Sequence, residues 1–229
     1  MRKIKTAFKT AFPYTLPIAA GFLVLGTSYG FLMSSLGFPF YYPLIMSILI
    51  FAGAMQFVAV DLLLLGFDPI GALFLTLLVN ARHLFYGISL LKDYQEAGSK
   101  RYYLIYALCD ETFSVNSTVT LNEDVDKDWF MFFVSLLNQS YWVLASALGG
   151  VLGAVFNFNI QGLDFVLTAL FAVLFVDQWL KTDDHRPALC GLFTALICLL
   201  IFGSEYFMIA TMIACIVIFY FVYKKEKAK

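Results

Sequence analysis

Charge is scarce in this chain: only 14% of its 229 residues are Asp, Glu, Lys or Arg, the formal net charge is -1, and basic residues cluster only in short tails and one connection. Nucleic acid is thereby excluded as a partner, because phosphate recognition needs a field of Lys and Arg. Cys109, Cys190, Cys198 and Cys215 all fall in apolar stretches without a Cys-x-x-Cys pair. That spacing argues against a disulfide framework, a metal centre or a bound cofactor, and leaves them as small packing residues. No polar stretch is long enough for a soluble domain. What abounds is apolar surface, at 61% of residues with 18% aromatic and a mean hydropathy of +0.82. Such a chain is expected to be an all-α polytopic membrane protein in contact with a lipid bilayer. Its first apolar run follows a basic start, Met1 to Lys9, exceeds a signal-peptide core and shows no small-residue cleavage site, so it is expected to be retained.

Eight apolar segments follow, at 14–36, 42–65, 69–91, 102–119, 129–156, 163–180, 187–202 and 206–223. Several fall short of the ~20 residues that a crossing wants. Positive charge places the N-terminus with Arg2, Lys3, Lys5 and Lys9, the connection from Lys92 to Arg101, and the C-terminus with Lys224, Lys225, Lys227 and Lys229 in the cytoplasm. The acidic connection of Glu123, Asp124, Asp126 and Asp128 is expected outside. Eight simple crossings violate that pattern, since three segments would separate two cytoplasmic regions. The first two are therefore expected to make one net crossing, as a broken helix or a re-entrant pair. Gly21, Gly26 and Gly30 interrupt the first, Pro39 and Pro43 flank the connection, and Gly53 breaks the second. Segments five and six repeat the logic in the opposite orientation. The outcome is about six full crossings plus broken or re-entrant helices. They form two inverted-topology repeats, approximately 14–119 and 129–223, within a single integral membrane domain, 1–229. Leu25-Gly26-x-x-x-Gly30 recurs as Leu148-Gly149-x-x-x-Gly153, and Pro69 is echoed by Pro187. In transporters of this plan, unwound backbone near the midplane lines the substrate site. Gly-x-x-x-Gly is also a common device for close helix packing in membranes.

The stretch Asn80-Ala81-Arg82-His83-Leu84-Phe85-Tyr86 sets an amide, a guanidinium and an imidazole inside an apolar segment. An arginine there costs about 2.5 kcal/mol or more unless it is paired, hydrated or facing a cavity. On a continuous helix Asn80 and His83 share a face, while Arg82 turns roughly 200° away from Asn80. Arg82 stands ten residues before Lys92, and Asp110 and Glu111 stand eight and nine after Tyr102. At ~1.5 Å per residue all three lie about 12 to 15 Å from one membrane face. An ion pair of Arg82 with one of the acids follows, and the second acid with His83 becomes a candidate for binding or relaying a proton. A purely structural pair is the alternative. Gln56, beside Gly53, suits a hydrogen bond to a neighbouring helix. Asp61 lies near its segment end and is expected to snorkel, and Asp177-Gln178-Trp179 beside Lys181 reads as an interfacial anchor.

Phe51-Ala52-Gly53-Ala54-Met55-Gln56-Phe57, then Asn80-Ala81-Arg82-His83-Leu84-Phe85-Tyr86-Gly87, then Asp110-Glu111-Thr112 resemble the AzlC family, the large subunits of bacterial branched-chain amino-acid exporters. Length and segment order fit over nearly the whole chain. The resemblance implies export of branched-chain and similar apolar amino acids across the inner membrane, coupled to the proton gradient, and a small separate hydrophobic subunit of the AzlD type. Where the family pattern has Thr before the Asp-Glu pair, this chain has Cys109.

The residue chemistry suits such a substrate. A zwitterion needs an anion for its ammonium, donors for its carboxylate and an apolar wall for its side chain. Asp110 or Glu111 serves the first, Arg82, Asn80 or exposed amides near Gly26 and Gly53 the second, and Phe51, Phe85 and Tyr86 the third, with Gln56 able to meet either polar end. The candidate substrate set is thus Gly26, Gly53, Gln56, Asn80, Arg82, His83 and Tyr86, and the candidate ion-pair or proton set is Arg82, His83, Asp110 and Glu111. The leading expectation is a proton-linked amino-acid exporter working by alternating access. The alternatives are a proton or ion channel gated by the same cluster and, least supported for want of a nucleophile or metal constellation, a membrane-embedded enzyme.

Overall fold

The structure, a computed structural model, describes residues 2–65, 69–156, 168–169, 172, 175–176, 179–180 and 182–226. They fall into two compact units, Met1–Leu167 and Thr168–Lys229. Helices and their connections account for the described residues, with no strand among them.

In the first unit α1 (Arg2–Ser35) and α9 (Lys127–Val155) are both long and apolar enough to cross a membrane. They run parallel, because contacts advance together along both. Phe8 meets Phe133 edge-on at 5.3 Å, Phe22 meets Trp142 at 5.3 Å, and the Thr15 hydroxyl is 3.3 Å from that of Tyr141. Further along, a Cβ on Gly26 would press on Ala145, one on Gly30 would collide with backbone of Ser146 and Gly150, and one on Gly153 would press on Ser34. The two Gly-x-x-x-Gly motifs therefore meet each other, and their missing side chains are what let the helix backbones close. The expectation that Gly21, Gly26 and Gly30 interrupt the first segment is overturned, since α1 is unbroken through all three. A helical glycine costs only about 1 kcal/mol relative to alanine, which close packing on α9 offsets. Parallel α1 and α9 also do not fit an inverted relation between units that begin at 14 and 129, whose leading helices would run in opposite directions.

Between these two crossings the chain never makes a plain helix. From the far end of α1, helix α2 (Tyr41–Leu49) enters antiparallel to α9, with Phe40 and Pro43 against Gly150. It stops at Phe51, whose φ of 43° is unusual for a bulky residue. Helix α3 (Gly53–Leu65) then turns back, Gln56 bonding Ser47 and Phe57 packing edge-on to Tyr29. The pair is a half-membrane hairpin. Helices α4 (Pro69–Val79) and α5 (Arg82–Ser89) follow as a span bent by 51° at Asn80-Ala81. It delivers Leu90, which caps it, and Tyr94 of the next helix, α6 (Leu91–Glu96), to a core with Ala7, Ala11, Phe130 and Met131, where α1 and α9 begin.

Helices α7 (Arg101–Tyr106) and α8 (Asp110–Thr118) form a second hairpin that dips from this same end. Leu104 on one arm and Val115 on the other both lie in the core with Ala7 and Ala11. Ala107, at the turn, reaches the other core, with Phe22, Phe51 and Trp142. The fourth segment thus enters and returns, which overturns the placement of the basic and acidic connections on opposite faces. They are side by side, Lys127 Nζ 2.6 Å from Asp93 and Lys100 Nζ 3.8 Å from Asp128, with Lys100 over the Trp129 ring. Charge counting failed here because it scored a re-entrant pair as a crossing.

In the second unit α10 (Arg186–Glu226) is kinked at Gly203, with φ 69° and ψ 179°, and its Arg186–Gly203 part is a third helix able to cross. The bent α4–α5 pair makes a fourth if it is one span. The predicted anchor lies partly outside the described residues, which omit Asp177, Gln178 and Lys181, while Trp179 stacks on His185 at 4.0 Å.

Candidate functional site

Each of the three interrupted segments breaks at or within a turn of a polar residue named from the sequence. Arg82 opens α5, Asp110 opens α8, and Gln56 lies in the first turn and a half of α3. The three following half-helices therefore present their N-termini, the positive ends of their dipoles, to the interior of unit 1.

The breaks have local causes. At Asn80 the backbone tightens, its carbonyl accepting from the His83 amide at 2.9 Å and lying 3.2 Å from the His83 ring Nδ1. The faces derived for a continuous helix accordingly do not apply, and Arg82 and His83 both lie in the first turn of α5, beside Asp110. At the α3 hairpin the Gln56 side chain reaches back to accept the Ala52 amide at 3.3 Å, in the manner of a capping box. At the α8 hairpin Cys109 is an extended N-cap, and the acids Asp110 and Glu111 fall in the first turn, where the helix dipole favours them.

Arg82 Nη2 lies 2.9 Å from Asp110 Oδ2, with the two side chains 31% and 23% exposed. A guanidinium at a helix N-terminus opposes the dipole, so the carboxylate offsets both that term and its desolvation. Two atoms of this pair have no partner although they are buried, the donor Arg82 Nε and the acceptor Asp110 Oδ1. The Tyr86 side chain lies beside Asp110, and its ring stacks on Phe113 at 4.3 Å. His83 stands edge-on to the same ring at 5.6 Å. Arg82, His83, Tyr86 and Asp110 are thus brought together, with the Asn80 carbonyl behind His83. Glu111 is not the partner of Arg82, and the Cys109 sulfur before it lies 3.2 Å from the Thr112 hydroxyl.

Gly26, Gly53 and Gln56 are engaged elsewhere. Gly26 packs on α9, and a Cβ on Gly53 would lie 3.3 Å from the Trp142 ring. Gln56 is fully buried, with its amide donating to Ser47 at 3.1 Å and its oxygen accepting from Trp142 Nε1 at 2.8 Å. An amide so fully satisfied fixes the hairpin to α9.

The residues that sequence reasoning missed lie on α9. Asn138, Gln139 and Trp142 present one polar face, bonding Thr112, the α2 and α7 ends, and Gln56 respectively. The signal was present as Asn-Gln-x-x-Trp in an otherwise apolar helix, where polar side chains rarely face lipid.

Interrupted helices whose positive ends converge on a half-buried ion pair define a helical membrane protein with a polar centre. The chain belongs to the AzlC family: the AzlC protein family matches residues 17–156, which end beside the end of α9 and contain every residue of this site. It is similar to the Bacillus subtilis "Branched-chain amino acid transport protein AzlC", at 56% identity over 93% of this chain and 84% of the relative. An "Uncharacterized membrane protein" of Haemophilus influenzae is 49% identical over 92% and 86%, and the Escherichia coli "Inner membrane protein YgaZ" is 25% identical over 77% and 73%. No solved structure matches the chain.

Proposed function

We propose that the protein is a proton-coupled exporter of branched-chain and related apolar amino acids, and that Arg82 and Asp110 bind the zwitterionic end of the substrate. The observation that carries this reading is the partnerless donor and acceptor on one ion pair, Arg82 Nε and Asp110 Oδ1. A substrate carboxylate matches the first and a substrate ammonium the second. The N-termini of α5 and α8 add favourable potential for the carboxylate. The stacked Tyr86 and Phe113 rings supply an apolar wall. The name of the Bacillus subtilis relative supports the substrate class, and membership of this family favours a transporter over an enzyme.

Export proceeds by alternating access. The unit of inversion is a crossing plus the hairpin after it: α1 with α2–α3 dipping from the far end, then α4–α5 with α7–α8 dipping from the near end. Glu111 and His83 carry the coupled proton. The end where α1 begins collects Arg2, Lys3, Lys5, Lys9, Lys92, Lys100 and Arg101, which favours it as the cytoplasmic side of a bacterial inner membrane, with the C-terminus on the same side. Part of the exposed apolar surface of both units receives a small hydrophobic subunit of the AzlD type.

The test is leucine and valine efflux from proteoliposomes holding the full chain, with and without the small subunit and a proton gradient. Arg82→Ala and Glu111→Gln are expected to abolish efflux while the protein still inserts. Unimpaired efflux in Arg82→Ala, or ion current without amino-acid movement, would overturn the reading.

A further inference from the structure

The two hairpins enter from opposite ends, and their tips are joined. Because the Gln56 oxygen has taken the Ala52 amide, the Ile48 carbonyl loses the i+4 donor it would have in a continuous helix. Two groups replace it. Tyr106, the last residue of α7, donates its hydroxyl to the Ile48 carbonyl, and Gln139 Nε2 donates to the same oxygen at 3.2 Å. The second hydrogen of that amide goes to the Tyr106 hydroxyl at 3.1 Å, and the Gln139 oxygen accepts from Tyr103 at 2.6 Å. One side chain of α9 thus fastens the end of α2, the end of α7 and the preceding turn of α7.

Its neighbour holds the other arm, Asn138 Nδ2 donating to Thr112 on α8 at 3.2 Å. The loop between these anchors, Ala107-Leu108-Cys109, leads directly into Asp110. Wherever the tip sits, Asp110 sits with it. The junction is open on the side of Ile48 and Tyr106, 46% and 37% exposed, while Phe51 and Ala107 beside it share one core, so the bonds set the register of tips that packing alone holds loosely.

We infer that Gln139 and Tyr106 are positioning residues for substrate binding: they latch the two half-membrane hairpins tip to tip and thereby set the place of Asp110 opposite Arg82. The inference rests on the transport reading for its substrate but not for its geometry. Neither residue touches the ion pair, so their loss acts on where Asp110 stands and not on its charge.

The experiment uses the full chain in proteoliposomes, in a background with Cys190→Ser, Cys198→Ser and Cys215→Ser, so that Cys109 at the hairpin tip is the sole thiol. Gln139→Leu and Tyr106→Phe are each expected to raise the leucine concentration for half-maximal flux about ten-fold, the scale of one lost net hydrogen bond or slightly more, with maximal flux per inserted protein little changed. Both are expected to speed maleimide labelling of Cys109 by about the same factor. The double variant should be little worse than the poorer single, since one latch can be broken only once. Half-saturation within two-fold of the parent, unchanged labelling, or fully additive losses would overturn the inference. If the parent moves no leucine, the transport reading fails, while Cys109 labelling, which needs no substrate, still decides the latch.

Discussion

Exchanging the two charges of the central pair separates a structural role from a ligand-binding one. Asp110→Asn alone leaves a guanidinium 31% exposed at the N-terminus of α5 without its counter-charge. Breaking a buried pair in this way costs 3 to 5 kcal/mol where water is fully excluded, so about 3 kcal/mol is expected at this partly wet site. For the ligand the loss is of the ammonium acceptor, worth about 2 to 5 kcal/mol, or a weakening of about thirty-fold or more in affinity. The double exchange Arg82→Asp with Asp110→Arg restores an ion pair at the same place and should recover most of the folding loss. It also sets a guanidinium at the N-terminus of α8, at a cost of about 0.3 to 1 kcal/mol that the carboxylate gained at the N-terminus of α5 offsets. More importantly, it reverses the ends offered to a zwitterion, which would turn the substrate side chain away from Tyr86 and Phe113. Thermal melting in detergent should therefore return towards the parent in the exchanged protein, whereas leucine binding by calorimetry and leucine counterflow should not. Counterflow restored along with stability would show that the pair only holds helices together, and would refute the assignment of Arg82 and Asp110 as ligands.

Single cysteines at Asp93 and Glu123 are expected to react with an impermeant maleimide from the same side of the membrane, and labelling from opposite sides would contradict the re-entrant α7–α8 hairpin. Gly30→Leu should destabilise by at least the 1 to 3 kcal/mol typical of overpacking, because the new Cβ meets the Ser146 and Gly150 backbone. Gly21→Leu, with nothing within 4 Å of its Cβ, should melt like the parent in the same fluorescence-detected assay. Trp142→Phe removes the shorter of the two bonds to the Gln56 oxygen and should lower stability by about 1 to 2 kcal/mol. Gly203→Ala places a side chain at φ 69° and ψ 179° and should cost about 1 to 3 kcal/mol, read as a drop in melting temperature.

What the sequence made legible was the chemistry, and what it hid was the path of the chain. The pairing of Arg82 with an acid near Asp110 could be argued from depth because a charge in an apolar segment has few options, and each option leaves a countable distance to the nearest loop. The choice of Asp110 over Glu111 could not, since it depends on the helix starting at Asp110, which an extended Cys109 determines. Of the glycines at which breaks were sought, Gly53 adjoins one, at Phe51–Ala52, while α1 runs through the others and the remaining breaks fall at Asn80–Ala81 and Ala107–Cys109. Gly26 and Gly30 of α1 are packed upon by α9, and spacing along one helix cannot distinguish a glycine that bends from one that is packed upon.

A topology count constrains only the parity of crossings, so one re-entrant pair assigned to the wrong segment shifts every later orientation. With both the second and the fourth segments folded as hairpins, α1 and α9 are the helices of the first unit able to cross, joined by α4–α5 if that bent pair is one span. The basic and acidic connections then share a face, and Lys127–Asp93 and Lys100–Asp128 close across it. The hairpins enter from opposite ends of unit 1, and their tips, one just before Gln56 and one just before Asp110, meet at Gln139 of α9. Opposed entry, with one hairpin from each end of unit 1, is the arrangement that Asn138 and Gln139 of α9 hold together.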